Sequence, residues 1–380
     1  MRILFKFKLL LTCLFLLGLL PDNNKCIAQQ LNYIYKSDEA GYKCFRIPSL
    51  ITTTNGTVLA FAEARKNDCG DAGDIDLVVK RSSDGGKTWG PILMVWDDAE
   101  NTCGNPAPVV DEQTGRIVLL STWNLGKDHE REIIADTAKN TRRVFVLYST
   151  DDGLTWSSPK EITTSVKKDN WTWYATGPGR GIQISKGKYK NRLVIPANHV
   201  TKDTRKNYSK VILSDDGGNS WKLGGITRED SVNETTVAEL SGGRILLNMR
   251  NASKKRVRQT AISKNGGKSW SHIKADTTLI EPVCEGNLLR YKYEGKKDAL
   301  LFSNPASKTS RIRMTIRVSY DDGKTWAFSK LLYAGPSAYS CMTVLPNGNI
   351  GCFYEAGLQR PYEGIVYEEV KLEDINSKDY

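Results

Sequence analysis

Ser82-Ser83-Asp84-Gly85-Gly86-Lys87-Thr88-Trp89 is the stretch on which the reading of this chain turns. Its pattern, Ser-x-Asp-x-Gly-x-Thr/Ser-Trp, recurs at residues 149–156, 214–221, 263–270 and 319–326, with Asn265 replacing the aspartate in the fourth copy. The chemistry is that of a turn: Ser and Asp side chains bond nearby backbone N–H groups, Gly supplies positive φ, and Trp caps the loop with apolar area. Each copy follows a short apolar run (77–80, 144–148, 211–213, 260–262, 315–318), so each reads as the turn of a β-hairpin. The five starts lie 67, 65, 49 and 56 residues apart. One hairpin per unit of that length predicts the blades of a β-propeller. The box itself has a structural role and carries no chemistry.

A chain of 380 residues suits one propeller. Its first residues, MRILFKFK followed by LLLTCLFLLGLL, form a basic and then an apolar segment. Cys26 and Ala28 suit the −3 and −1 positions of a cleavage site, which predicts a signal peptide over 1–28 and a single all-β domain over 29–380. Secretion or a periplasmic location follows, with no integral membrane span after cleavage. An uncleaved anchor is the rival, weakened by Lys6 and Lys8; lipid attachment at Cys26 is weakened by Asn24-Lys25. Net charge is +11, or +8 without the leader's four basic residues and one aspartate. Such a surface tends to draw acidic partners, but for most of these lysines a solvated exterior is the preferred reading. No basic run interleaved with aromatics points to nucleic acid. Cys44, Cys69, Cys103, Cys284, Cys341 and Cys352 show no CxxC spacing and there are three histidines, so no metal site is expected. Spacing leaves any disulfide pairing open.

Between the boxes, strand and turn signals alternate to the end of the chain. Residues 127–143 read as a charged insertion, a loop or short helix over one face; no helix longer than two turns is expected. Three arginines stand apart. Arg46 lies within the apolar stretch Phe45-Arg46-Ile47-Pro48, Arg250 ends the apolar strand 245–249, and Arg311 precedes another strand. A charge at the end of an apolar strand can point into a central cavity, where it needs an anionic partner, or it can form an internal ion pair.

Phe45-Arg46-Ile47-Pro48 together with repeated Asp boxes resembles the exo-α-sialidases (neuraminidases) of bacterial and animal type, over residues 42–367. The resemblance implies a six-bladed propeller with its site on the central axis, one blade lacking a box. It implies that Arg46, Arg250 and Arg311 grip the substrate carboxylate, as planar guanidinium forks do well; Arg313 and Arg317 are neighbours of the third. Asp71 matches the acid/base catalyst, with Asp68, Asp74 and Asp76 crowding the same loop. Arg65 matches the arginine near the sugar's 4-hydroxyl. Tyr339 matches the nucleophile and Glu234 the glutamate that takes its proton. A neutral phenol avoids the repulsion that a carboxylate nucleophile would meet at an anomeric carbon bearing a carboxylate, and with a pKa near 10 it needs a base within reach.

The resemblance therefore implies a retaining hydrolase of terminal sialic acids on glycoproteins, glycolipids and oligosaccharides, without a cofactor. Trans-sialidases, anhydro-forming variants and a non-catalytic sialic-acid-binding propeller are the alternatives. Glu285 and Asn287 stand where the family often has Gln and Ser, and Glu285 would alter substrate preference if it faced the sugar's glycerol chain. Trp171, Trp173 and Tyr174 either line the leaving-group side or pack between blades. The sequons at Asn233 and Asn251 flank Glu234 and Arg250 and are expected to be unused.

Overall fold

All five boxes close as their composition predicts. In a computed structural model that describes residues 30–253 and 255–376, Ser82 Oγ donates to Asp84 Oδ1 (2.8 Å) and accepts the Gly86 N–H (2.7 Å). Asp84 also accepts from the Thr88 N–H (2.9 Å) and Thr88 hydroxyl (2.7 Å). The same bonds from Ser and Asp recur at Ser149, Ser214 and Ser319. In the fourth box Asn265 Oδ1 still accepts from Ser269 N–H (2.9 Å), while its Nδ2 donates to Ser269 Oγ (2.8 Å), so the hydroxyl serves as acceptor instead. The predicted leader, 1–28, lies outside the described residues.

Each box joins antiparallel neighbours; among the described residues the strands form sheets of eight, five, four and seven, which successive hairpins divide into runs of four or five. The first run is Cys44–Thr52, Val58–Arg65, Ile75–Ser82 and Leu93–Trp96. The second is Thr102–Val110, Ile117–Asn124, Arg143–Ser149 and Lys160–Glu161. The third holds Trp171–Thr176 and Ile182–Gln183 along one edge of Leu193–Thr201, then Asn207–Ser214 and Lys222–Ile226. The fourth is Val232–Glu239, Ile245–Asn251, Val257–Ser263 and Lys274–Ile280. The fifth is Asn287–Tyr291, Ala299–Pro305, Ile312–Ser319 and the first half of Phe328–Val344. The second half of that long strand opens the sixth, followed by Ile350–Ala356, Gly364–Val370 and, from the start of the chain, Tyr33–Lys36. The sixth run has no box because its last strand arrives from the other end of the chain, leaving no hairpin there to close.

Apolar clusters fill the junctions between runs. Leu59, Phe61 and Val79 of the first meet Ile117, Leu119 and Leu147 of the second. Clusters of the same kind join second to third, third to fourth, fourth to fifth and fifth to sixth. Another brings Leu50, Val58 and Val78 of the first run against Cys341, Phe353 and Ile365 of the sixth. The box tryptophans serve these junctions: Trp89 lies edge-on to Tyr367 (5.3 Å) and Trp156 edge-on to Phe61 (5.6 Å), each reaching the preceding run. The fold is all-β and in keeping with a β-propeller. Among the described residues three short α-helices, Glu130–Ala135, Thr163–Val166 and Leu372–Asn376, decorate it, and no helix is long and apolar enough to cross a membrane. The charged insertion at 127–143 contains the first of them.

Candidate active site

Antiparallel register puts Cys44, Arg65 and Ile75 at one end of the first run, and Thr52, Val58 and Ser82 with its box at the other. At the end away from the boxes, the first strand of five runs loses register: between Arg46 and Ser49, Gly104 and Ala107, Trp171 and Tyr174, and Val232 and Thr235, and on the long strand between Ser337 and Ser340. Such bulges bend a strand and re-aim its side chains. Arg46, Asn105, Trp173, Glu234 and Tyr339 stand at or inside these five irregularities, and all five line one cavity of about 410 Å³. Ile47 has φ 58°, a left-handed conformation that costs a β-branched residue about 1–3 kcal/mol. Its N–H is held by the Glu355 carboxylate (3.0 Å).

Three guanidiniums surround Tyr339. Those of Arg46 and Arg311 lie 5.3 and 5.5 Å from its ring centroid, and Arg250 Nη1 donates to its hydroxyl (3.1 Å). Buried Glu355 accepts from Arg46 Nε (3.1 Å) and from the Tyr339 N–H (3.2 Å), locking two strands far apart in sequence to one another. Arg311 donates to Tyr362 Oη and Val283 O, and among the described residues it forms no ion pair. The Tyr339 hydroxyl donates to Glu234 Oε1 (2.5 Å), while Glu234 Oε2 pairs with Arg250 Nη1 (2.8 Å). Burial and the Glu234 carboxylate push the phenol well above its ordinary pKa, against the pull of Arg250 and Arg311. The phenol is therefore protonated at rest, with its acceptor already in place.

Asp71 points an exposed carboxylate at the cavity, held by Arg65 Nη1 (2.8 Å) and Arg46 Nη1 (3.1 Å). Partial loss of water beside the cavity wall pushes its carboxyl up, but Arg65 and Arg46 outweigh that and hold it below the usual range. Arg65 is oriented by buried Glu63. The neighbouring aspartates do other work: Asp68 accepts from the Gly70 N–H (2.6 Å), Asp74 lies 3.9 Å from Lys66, and buried Asp76 accepts from the Tyr42 hydroxyl (2.7 Å). Burial pushes Asp76 up to about 6. None of the three lines the cavity. A disulfide, Cys44–Cys69, ties the Asp71 loop to the strand of Arg46.

The structure also corrects the sequence reading. Glu285 is buried behind the site, accepts from the Ser340 N–H (3.0 Å) and does not reach the cavity. Trp171 stacks on His199 (3.6 Å) and Tyr174 is fully buried in the same core, so of the three aromatics only Trp173 lines the cavity. Arg313 and Arg317 lie outside it. Asn233 accepts from Arg250 Nε (2.9 Å) inside the cavity, where a glycan would fill it. Arg142 went unread: it is buried, sits 4.1 Å over the Trp173 ring, and donates to Asn105 Oδ1 and Thr122 Oγ1. Burial lowers its pKa to about 10. Its place in the charged insertion gave no sequence signal. A second cavity of about 620 Å³ adjoins the first, sharing Asp71 and Glu130 and lined further by His129, Arg131, Ile134 and Arg205. Among the described residues no three His, Cys, Asp or Glu side chains are grouped to hold a metal.

The BNR repeat-like domain family matches residues 56–352. A sialidase of Bacteroides fragilis is 34% identical over 87% of this chain and 62% of its own length. A sialidase of Micromonospora viridifaciens is 33% identical over 87% and 52%. The chain thus spans less than two thirds of these two relatives. An exo-alpha-sialidase of Aspergillus fumigatus is 31% identical over 87% of this chain and 85% of its own. Among solved structures, a Hadza microbial sialidase superposes with a TM-score of 0.81 at 32% identity, covering 90% of this chain and 68% of that one.

Proposed function

The chain belongs to the sialidase family, and from that premise we propose that it is a retaining exo-α-sialidase releasing terminal sialic acids from glycoproteins, glycolipids and oligosaccharides. The observation that carries this reading is the Tyr339 hydroxyl, donating to Glu234 Oε1 at 2.5 Å amid three guanidiniums. A binding protein would need the cations; it would have no use for a phenol poised against a base.

The sugar carboxylate enters among Arg46, Arg250 and Arg311. It competes with Asp71 for Arg46, removing one of the two cations that keep Asp71 ionised, so the Asp71 pKa rises toward that of a useful acid. Tyr339 Oη then bonds to the anomeric carbon while its proton passes to Glu234. The bond to the leaving oxygen breaks as Asp71 protonates that oxygen. In the second half Asp71 takes a proton from water, the water oxygen bonds to the anomeric carbon, and the tyrosyl bond breaks as Glu234 returns its proton. Two displacements retain configuration. The leaving group departs on the Asp71 side, where the 620 Å³ cavity has room for it.

The strand runs are read as six blades; supporting this are the apolar clusters between successive runs and the one joining sixth to first. Export is read from the leader, and the disulfide supports it, since such bonds persist in oxidising compartments. The test is a ¹H NMR time course with sialyllactose isomers. Early free α-anomer, abolished in Tyr339→Phe, supports the reading. An anhydro product would replace hydrolysis with intramolecular transfer. Saturable binding without product would leave a lectin.

A further inference from the structure

Asp71 sits on a loop that burial cannot order. Residues 66–74, Lys-Asn-Asp-Cys-Gly-Asp-Ala-Gly-Asp, contain Ala72 as their only aliphatic side chain, and 66–71 are exposed. The far side of the loop is fixed by Gly73, whose N–H donates to Thr102 Oγ1 (3.1 Å) and whose carbonyl accepts from that hydroxyl (2.9 Å). The near side is held to the rest of the molecule by two devices. Arg65 Nη1 donates to the carbonyls of Cys69 and Gly70 (both 2.7 Å), and Cys69 is bonded to Cys44. Cys44 lies two residues before Arg46, and Cys69 two before Asp71. The disulfide thus joins the acid's loop to the strand that bears a carboxylate-binding arginine.

We propose that Cys44 and Cys69 are a positioning pair for Asp71, so that opening their bond leaves the sugar's grip intact while removing acid assistance to the leaving group. This rests on Asp71 being the acid. The physical reason is competition. At rest Asp71 has two cations, but the incoming sugar carboxylate claims Arg46, so in the substrate complex only Arg65 and the disulfide restrain the near side of the loop. A displacement of about 1 Å from the leaving oxygen costs on the order of 10²-fold in rate. Arg46 itself is secured independently by Glu355 and the Ile47 bulge.

The test compares kcat/KM for 3′-sialyllactose, whose alkoxide leaving group needs a proton, with that for 4-nitrophenyl sialoside, whose phenolate does not. Among the described residues the other four cysteines are buried thiols, so reduction by dithiothreitol, taken to the point where iodoacetamide labelling shows the Cys44–Cys69 bond open, acts on this bond alone. On reduction and alkylation, sialyllactose should lose about 10- to 100-fold and the aryl sialoside less than about 3-fold. The Kd for 2,3-didehydro-2-deoxysialic acid should hold. Cys44→Ser/Cys69→Ser should reproduce the ratio, and Asp71→Ala should show it with no further loss on reduction. Equal losses on both substrates, weakened analogue binding, or no change would overturn the proposal. If the double variant fails to fold, the reduced wild type decides. Failure of the oxidised wild type to cleave either substrate would sink the proposed function instead.

Discussion

The box turns and the cavity stand at opposite ends of the same strands and solve opposite problems. At the box end the repeated Ser and Asp side chains find their partners within four residues, as Ser82 and Asp84 do with Gly86 and Thr88. At the cavity end partners come from afar: Tyr339 bonds Glu234 across 105 positions, and Arg46 bonds Glu355 across 309. One end is closed locally and regular. The other gathers cations, breaks register and holds Ile47 in an unfavourable backbone conformation. Strain and unneutralised charge are tolerated where a ligand is to complete them, and the locally closed turns hold the opposite end in order.

Substitutions at the cavity end should impair catalysis or substrate binding and spare stability; those at the box end should do the reverse. Tyr339→Phe should lower kcat/KM by about 10³-fold or more with an unchanged melting temperature. Comparable loss of stability would show that the phenol is chiefly a packing group. Next, Asp71→Asn should cost sialyllactose hydrolysis about 10²-fold, and the aryl sialoside much less. Arg311→Lys, replacing a planar fork by a point charge, should raise KM about 10-fold or more with the smaller effect on kcat.

At the other end, Ser214→Ala leaves the buried Gly218 N–H without its acceptor and should cost about 1–2 kcal/mol in urea unfolding, with kcat unchanged. A fall in kcat there would mean the two ends are coupled. The smallest effect concerns pH. Bonds from the Thr88 N–H and hydroxyl and from Ser82 lower the Asp84 carboxyl to about 2; at Asp151 burial opposes, but the Thr155 and Ser149 bonds prevail and bring it also to about 2. Both native values lie below the unfolded value near 3.9. Their contribution is therefore present above about pH 4 and is lost as pH falls toward 2. Urea midpoints measured across that window should decline, and less steeply in Asp84→Asn.

Legibility follows the same division. Five boxes were readable because each turn's bonds close within eight residues, so a short pattern contains its own physics. The positions of Arg46, Asp71, Glu234, Arg250, Arg311 and Tyr339 could be named only through resemblance, since no local rule separates Tyr339 from fifteen other tyrosines or Asp71 from three neighbouring aspartates. Arg142, Glu355 and the Cys44–Cys69 bond had no local signature at all, and Glu285, beside Cys284 in sequence, turned inward to the Ser340 backbone.

An all-β chain punctuated by hairpin turns follows from the residues alone, because turn chemistry and strand patterning act over a few residues. Which charged groups share a cavity is set by the folded arrangement. That depends on bulges at the ends of strands from five separate runs, and a bulge is set by how a strand meets its neighbours.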